Sequence, residues 1–235
     1  MTIAIVDDDV KCIKRTIDYL SKYPNIIISF TATDGHDFLL KHQKEKGKID
    51  VTLMYIGMRL MDGCDTTFVT KLMDVQTKII AHTTYNDYEM VRNCFLCGVD
   101  GFVLKPFAEH ELPIAIEKVA NGGYYLDSNL KYTITDDFFE NIIQQKHVFW
   151  NKSFEIDFNI TKRERLFIAL ASTSLLYKEI GNLMHVEEDS AQQIYNRLSK
   201  KLGLRSIKDL ALFSLQNGLA MQANFLFSNR NNMPY

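Results

Sequence analysis

Short apolar runs alternate with amphipathic stretches through the first half of the chain. Thr2–Val6, Ile26–Thr31, Val51–Tyr55, Lys78–His82 and Gly101–Leu104 read as strands, β-branched or unbroken in apolar character. Between them, helical periodicity runs from the acidic Asp7-Asp8-Asp9 to about Lys22, then over Gly35–Lys46, Thr66–Met73, Asp87–Cys97 and Glu109–Asn121. Gly98 closes the fourth of these helices and Gly122-Gly123 the fifth. Such alternation predicts an α/β architecture, a doubly wound five-stranded parallel sheet with helices on both faces. The second half changes character. Tyr124 to about Asn159 shows no strong period, although Asp136–His147 fits a linker helix, and from Thr161 onward the pattern is helical in short pieces. The expected division is a first domain over 1–121, a linker over 122–156, an all-α domain over 157–221 and a tail over 222–235.

The helical half carries its own start and stop signals. Thr161 followed three residues later by Glu164 is a capping box. Leu176–Met184, a break at His185-Val186 and Asp189–Leu202 then suggest two helices across a tight turn, with Ser206–Asn217 after them, the spacing of a helix-turn-helix. In Asp189–Leu202 the residues Ala191, Ile194, Tyr195, Leu198 and Leu202 form an apolar stripe. Gln192, Gln193, Asn196 and Lys200 share the opposite face, with Arg197 and Lys201 at its margins. Polar helix faces are usually only solvated. Amides beside cations are nevertheless what major-groove readout uses, Gln or Asn for adenine and Lys or Arg for phosphate or guanine.

Composition narrows the field. A net charge of −2 over 235 residues argues against a wholesale polyanion binder. Divided after Gly123, the first part has 14 Lys+Arg against 17 Asp+Glu (−3) and the second 13 against 12 (+1). The chain opens directly on an apolar run, and no apolar stretch reaches the ~18 residues a membrane span needs, so a soluble cytoplasmic protein is expected. Cys94 and Cys97 form a CxxC, but within a helical pattern and without a second pair or histidine cluster to complete a zinc set. Two small core residues one turn apart is the simpler reading.

Candidate chemistry gathers at the carboxyl ends of the predicted strands, where ligands of open parallel sheets sit. Asp7 and Asp8 follow the first strand, Tyr55 ends the third, Thr83 ends the fourth, and Lys105-Pro106 follows the fifth. Each alone has a bland reading as a cap or turn residue. Together, two carboxylates, a hydroxyl and an ammonium suit Mg²⁺ and a phosphoryl group. Ile3-Ala-Ile-Val-Asp-Asp-Asp9, Met61-Asp-Gly63, Ala81-His-Thr-Thr-Tyr85 and Gly101-Phe-Val-Leu-Lys-Pro106 resemble the receiver domain of bacterial response regulators, over about Met1–Asn121. The resemblance implies that Asp7 and Asp8 hold Mg²⁺, that Thr83 and Lys105 contact the phosphoryl group, that Phe102 is a switch aromatic and that Lys105-Pro106 is cis.

One position departs from it. The family's phosphoacceptor aspartate falls on Tyr55, and Arg59-Leu60 stands where a proline usually precedes Met-Asp-Gly. A phenol with pKa near ~10 stays neutral and cannot form the acyl phosphate. It also removes a metal ligand, so Asp7 and Asp8 are expected to keep at most residual Mg²⁺ binding, and no cofactor is expected. The leading reading is a degenerate corner in which the Tyr55 hydroxyl bonds Asp8, Thr83 or Lys105. Two others are a displaced acceptor at Asp9, Asp62 or Asp65, set against the demands of in-line geometry, and phosphorylation of Tyr55 itself by a tyrosine kinase.

Ile160-Thr-Lys-Arg-Glu164, Tyr177-Lys-Glu-Ile180 and Lys201-Leu-Gly-Leu204 resemble the LuxR/NarL helix-turn-helix over about Asp157–Leu219, and Asn121-Gly-Gly-Tyr-Tyr-Leu-Asp127 resembles that family's receiver–linker junction. The resemblance implies DNA contacts from Lys178, Ser190, Gln192, Gln193, Asn196, Arg197, Lys200 and Lys201, and a last helix over Ser206–Leu219 that dimerises. Gln192 stands where the family carries lysine, so the operator is not transferable. The expected protein is thus a non-enzymatic, phosphorylation-independent transcriptional regulator of the atypical, pseudo-receiver kind. Its expected partners are double-stranded DNA, a second copy, and RNA polymerase or another regulator. Two rival readings are a module that titrates a partner regulator or kinase through its receiver surface, and a conventional phosphorylated regulator with a displaced acceptor.

Overall fold

The computed structural model describes residues 1–59, 61–130, 134–151 and 158–219. Two compact units divide it, Met1–Asn151 and Lys152–Tyr235. The expected tail over 222–235, the linker's last residues 152–156 and Leu60 of the Arg59-Leu60 departure lie outside the described residues.

In the first unit strands β1 (Thr2–Val6), β2 (Ile27–Ala32), β3 (Val51–Met54), β4 (Ile79–Thr83) and β5 (Gly101–Leu104) alternate with helices α1 (Val10–Leu20), α2 (Gly35–Lys44), α3 (Gly63–Met73), α4 (Tyr88–Cys97) and α5 (Ala108–Ala120). With a further strand β6 (Tyr125–Leu126), the sheet is parallel throughout, in the order β2-β1-β3-β4-β5-β6. β3, β4 and β5 are buried along their whole length, as strands covered on both faces must be. Ile3, Ile5, Leu53, Ile80 and Val103 pack with Leu112 and Ile116 of α5 in one continuous core. The chain reverses sheet direction between β1 and β3, so their carboxyl ends open a crevice at the topological switch.

Two expectations need correction. The sheet has a sixth strand, β6 (Tyr125–Leu126), beyond the five that the pattern gives. Two residues leave no periodicity to read. The strand is held by polar groups instead: Asp127 N–H donates to the Phe102 carbonyl at 2.9 Å, and the buried Asp127 carboxylate accepts from Leu104 N–H at 2.8 Å, extending the ladder. Glu111 of α5 accepts from the Tyr125 and Ser128 hydroxyls at 2.5 Å each. The Lys105–Pro106 peptide is trans, not cis. Lys105–Phe107 winds into a 3-10 turn leading into α5, with Pro106 inside the first turn, where its missing N–H costs nothing.

The segment read as a linker contains helix α6 (Asp136–Asn151), which belongs to the first unit and packs on α4. A helix end leaves carbonyls without intrahelical donors, and α6 supplies donors to the end of α4. Trp150 Nε1–H donates to Leu96 O at 3.1 Å, and the Lys146 ammonium donates to Gly98 O at 3.2 Å and Val99 O at 2.6 Å. The same ammonium reaches Asp100 Oδ1 at 3.1 Å, while Lys71 of α3 takes Asp100 Oδ2 at 2.8 Å. Although burial pulls the Asp100 carboxyl up, the two ammonium groups hold it below the usual range. Burial lowers Lys146 to about 8, the charge of Lys71 adding to the fall and Asp100 offsetting part of it. Phe139 packs edge-on to Phe95, and Phe149 and Trp150 close on Phe68.

The second unit holds α7 (Lys162–Ala171), α8 (Tyr177–Met184), α9 (Glu188–Leu202) and α10 (Ile207–Gln216). Phe167, Leu170, Ile180, Leu183, Ala191, Leu198 and Leu210 are its buried centre. Thr161 and Glu164 form the expected capping box.

The α6 contacts define a ranked stability test. Asp100→Asn strands two buried ammonium groups and should cost roughly 3–5 kcal/mol. Lys146→Met leaves the Lys71–Asp100 pair intact and bares carbonyls, a loss of about 1–3 kcal/mol. Urea unfolding followed by the fluorescence of Trp150, the chain's single tryptophan, measures both. A reversed ranking would mean that Asp100 is not what the two lysines serve.

Candidate functional site

The corner at the switch point is built from the ends of β1, β3 and β5. Tyr55 continues β3, its N–H bonded to Val6 O at 2.8 Å. Asp7 follows β1 and is only 2% exposed. Lys105 leaves β5 and brings its ammonium to Asp7 Oδ2 at 2.6 Å, while standing 3.7 Å from the centre of the Tyr55 ring. A cation over an aromatic face is attracted by about 0.5–2 kcal/mol, more as water is excluded. The second Asp7 oxygen accepts from Asp9 N–H at 3.0 Å. Burial raises the Asp7 carboxyl, and Lys105 offsets part of that rise.

The Tyr55 hydroxyl points along the loop. A Cβ on Gly57 would lie 2.6 Å from Tyr55 Oη and 2.9 Å from Tyr85 Oη, so both phenols crowd the one residue that offers them room. Tyr85 was not among the residues singled out for this corner, although it ends the Ala81–Tyr85 motif. Thr83 is fully buried and its hydroxyl oxygen accepts from Tyr85 N–H at 3.3 Å. Phe102 is fully buried within β5. Behind the corner His82 is buried, and desolvation, with Lys105 nearby, lowers it to about 3, keeping it neutral.

The structure thus joins Asp7, Tyr55 and Lys105 directly but directs Asp8 elsewhere. Asp8 is exposed and lines a groove of about 550 Å³ with Asp9, Thr33, Asp34 and Arg59. These residues do not fit Mg²⁺. The cation that Asp7 faces is an ammonium, a phenol replaces the third carboxylate, and no group of three or more His, Cys, Asp or Glu among the described residues is arranged to hold a metal. Of the three carboxylates considered as displaced acceptors, Asp9 and Asp62 are helix N-caps and Asp65 lies in the first turn of α3. Asp9 Oδ1 accepts from Lys11 N–H, capping α1, and Asp62 Oδ1 accepts from Asp65 N–H, capping α3, with Asp62 and Asp65 both buried.

In the second unit the turn between α8 and α9 passes through His185 in the left-handed region (φ 54°), with Val186 N–H closing on Gly181 O at 2.9 Å. The stripe Ala191, Ile194, Leu198 faces inward. Gln193, Asn196, Arg197, Lys200 and Lys178 are exposed, whereas Ser190 and Gln192 are half-buried. Gln192 is engaged locally, donating to Asn196 Oδ1 at 3.3 Å and bonding Tyr177. Two expected phosphate contacts also reach Glu164: Lys201 Nζ at 3.0 Å, and the still exposed Arg197 through Nε at 3.6 Å. Although burial pulls the Glu164 carboxyl up, hydrogen bonds from Thr161 and Lys201 hold it below its ordinary value. Sequence spacing could not show this, because Glu164 and Lys201 lie 37 residues apart. α9 begins on Glu187, Glu188 and Asp189 and ends on Lys200 and Lys201, matching the helix dipole at both ends.

Comparison with known proteins places the first unit. The family model described as "Response regulator receiver domain" matches residues 3–117. This stretch is a response regulator receiver domain. Along nearly its whole length the chain is similar to the oxygen regulatory protein NreC of Staphylococcus aureus, 26% identical over 218 residues that cover 92% of this chain and 97% of that protein. Among solved structures it resembles a two-component response regulator of the LuxR family from Aurantimonas sp. SI85-9A1, with a TM-score of 0.51, 19% identity, and coverage of 63% and 97%. It also resembles RcsB in a structure of two dimers bound to two parallel DNAs, with a TM-score of 0.50, 17% identity, and coverage of 92% and 98%. At those identities the structural likeness concerns the fold. No helix among the described residues is long and apolar enough to cross a membrane.

The Lys105–Asp7 contact within this receiver predicts a pH-dependent variant. Lys105→Met leaves the buried Asp7 carboxylate with one N–H donor, so its folded-state pKa rises further above the unfolded value. A raised pKa means that the folded state keeps a proton the unfolded chain gives up, so stability falls as pH rises through it. The deficit against wild type should be small near pH ~4 and grow to roughly 2–3 kcal/mol by neutral pH. Thermal melts across that range measure it. A deficit independent of pH would show that Lys105 does not neutralise Asp7.

Proposed function

We propose that this chain is a sequence-specific, DNA-binding transcriptional regulator whose receiver does not take a phosphoryl group and which acts as a dimer. One observation carries the first half of this reading: the phosphoacceptor position is a tyrosine, and Lys105 is spent on Asp7 and the Tyr55 ring. A neutral phenol offers no acyl oxygen, and the ammonium that would meet an incoming phosphoryl group already balances a buried carboxylate. Signals therefore reach this receiver by a route other than acyl phosphorylation. The whole chain is a regulator, not an enzyme, and no covalent step is assigned to its corner.

The second half rests on α8, the turn and α9. Gln193, Asn196 and Lys200 stand on one exposed face over a buried stripe, an arrangement suited to base edges flanked by phosphate contacts. Lys201 serves the fold through Glu164, and Arg197 divides its charge with the same carboxylate, so both should contribute less to DNA affinity than Lys178 and Lys200. The similarity to RcsB, described as dimers on DNA, supports dimeric binding here. In domain terms, the receiver-like part extends beyond 121 through α6, and the DNA-binding part occupies 157–221. A second reading has one observation in its favour. Glu187, Glu188 and Asp189 place carboxylates at the end of α9 that helix-turn-helix proteins direct at DNA, which suits a basic protein partner better than a phosphate backbone.

Two experiments test the proposal. After acetyl phosphate and Mg²⁺ the intact mass should be unchanged; gain of one phosphoryl group would restore the displaced-acceptor reading. For DNA, Gln193→Ala should weaken a selected site by about 1–3 kcal/mol with little effect on scrambled duplex. Lys200→Ala should weaken both alike and lower the salt dependence by about one unit of slope. If folded protein with either substitution binds both duplexes as wild type does, the α9 face is only solvated and the partner-binding reading takes over.

A further inference from the structure

Three of the four cysteines converge where α3 passes α4. Cys64 sits in the first turn of α3, Cys94 and Cys97 lie one turn apart on α4, and none exceeds 1% exposure. The Cys64 and Cys94 sulfurs are 3.9 Å apart. Cys97 donates its S–H to the Cys94 carbonyl at 3.0 Å, so it is anchored within its own helix. Core filling accounts for the CxxC spacing on α4 but not for a third thiol meeting it from another element. A metal does not account for it either, since no ligand set is arranged among the described residues.

The surroundings make the three sulfurs unequal. The contact with Cys94 holds Cys64 well below the ordinary thiol range, whereas burial and Cys64 in turn push Cys94 and Cys97 up. Asp62 and Asp65 are buried beside them, and Asp62 Oδ2 has no hydrogen-bond partner among the described residues. Burial, reinforced by Cys64, raises Asp62 to about 8, so at neutral pH it keeps the proton that Cys64 gives up. One sulfur poised as thiolate, a protonated sulfur in contact with it and a protonated carboxyl that can hand its proton to a leaving hydroxide are the parts that thiol oxidation requires.

We propose that Cys64 and Cys94 form a redox modification site, oxidised by a small peroxide to a disulfide that ties α3 to α4. The Cys64 thiolate attacks one peroxide oxygen, the O–O bond breaks, and hydroxide leaves with Cys64 as the sulfenic acid. The Cys94 sulfur then attacks the Cys64 sulfur. Its proton leaves with the displaced hydroxyl as water, so two thiols and one H₂O₂ give one disulfide and two waters. The sulfurs must close from 3.9 Å to about 2.05 Å by rotating about their χ1 angles. Full burial restricts the oxidant to something about the size of water and keeps bulky disulfides such as oxidised glutathione out. The bond would join the segments flanking Tyr55: a Cβ on Gly63, at the start of α3, would lie 2.2 Å from the Tyr55 carbonyl oxygen, and α4 follows the loop carrying Tyr85.

The test uses full-length protein carrying Cys12→Ser, which removes the one partly exposed thiol. After hydrogen peroxide and a catalase quench, the protein is denatured, alkylated and digested. Two of the three remaining thiols should be lost as a Cys64–Cys94 cross-linked peptide, with the intact chain lighter by two hydrogens and restored by dithiothreitol. Cys94→Ala in the same background should give no cross-link and a Cys64 sulfenic acid trapped by dimedone. The cross-link map needs no core substitution, so it decides the matter even if Cys94→Ala does not fold. Survival of all three core thiols at a peroxide dose that consumes Cys12 in the wild type overturns the proposal. So does a Cys94–Cys97 or Cys64–Cys97 bond in place of the expected one.

Discussion

The Lys105 ammonium, held between the Asp7 carboxylate and the face of Tyr55, sets what the receiver corner can be. A buried charge is tolerated only when it is matched, and here the match is one to one. With a carboxylate at position 55 the corner would carry an excess of negative charge that a divalent cation could balance. With a phenol there, Asp7 has no neighbour to share its charge and takes the lysine for itself. The ring adds attraction without adding charge. A divalent ion entering this arrangement would meet an ammonium already in contact with the oxygen it needs, so the phenol at position 55 disfavours a metal twice, once by offering no carboxylate and once by leaving Lys105 on Asp7.

The same arithmetic explains why the two buried ion clusters differ. At Asp100 two ammonium groups share one carboxylate, and burial leaves Lys146 lowered to about 8 and dependent on the carbonyls of Gly98 and Val99 for the rest of its solvation. That dependence is what attaches α6. A lysine with only a carboxylate to satisfy could remain on the surface. One that also caps a helix end must bring its own helix along, and the rings of Phe139, Phe149 and Trp150 then seal the seam.

Legibility in the sequence followed the range of the interaction. The first five strands and their helices were readable because buried parallel strands are unbroken apolar runs, and the capping box at Thr161 because cap and partner are three residues apart. The motifs placed Asp7, Tyr55 and Lys105 at neighbouring strand ends, where direct contacts join them, but did not show that Asp8 faces a separate groove. What the pattern could not supply was contact at a distance: β6 held by Asp127 and Glu111, α6 docked through Lys146 and Trp150, Lys201 turned onto Glu164, Cys64 meeting Cys94. Each is a polar or sulfur pairing between elements far apart in the chain, and no hydrophobic period encodes it. Tyr55 shows the boundary well. Its identity raised the question of phosphoryl chemistry, but only the structure shows that Lys105 contacts Asp7 and that the hydroxyl shares Gly57 with Tyr85.

If the corner takes no phosphoryl group, as proposed, leverage on this receiver lies elsewhere. A ligand or modification shifts a conformational equilibrium only by its differential affinity for the two states, and a corner already closed by its own lysine offers little to differ over. α4 is the better lever. Its start is capped by Asp87, which accepts from Met90 N–H at 2.9 Å, and its end is held by α6 through Leu96, Gly98 and Val99. Moving it requires several of these bonds to open together, each worth roughly 1 kcal/mol net. An event that opens or reinforces that seam therefore acts on several kcal/mol at once, a range in which populations change by orders of magnitude. On the proposed reading of the corner, the helix interfaces flanking α4 are where such leverage is available.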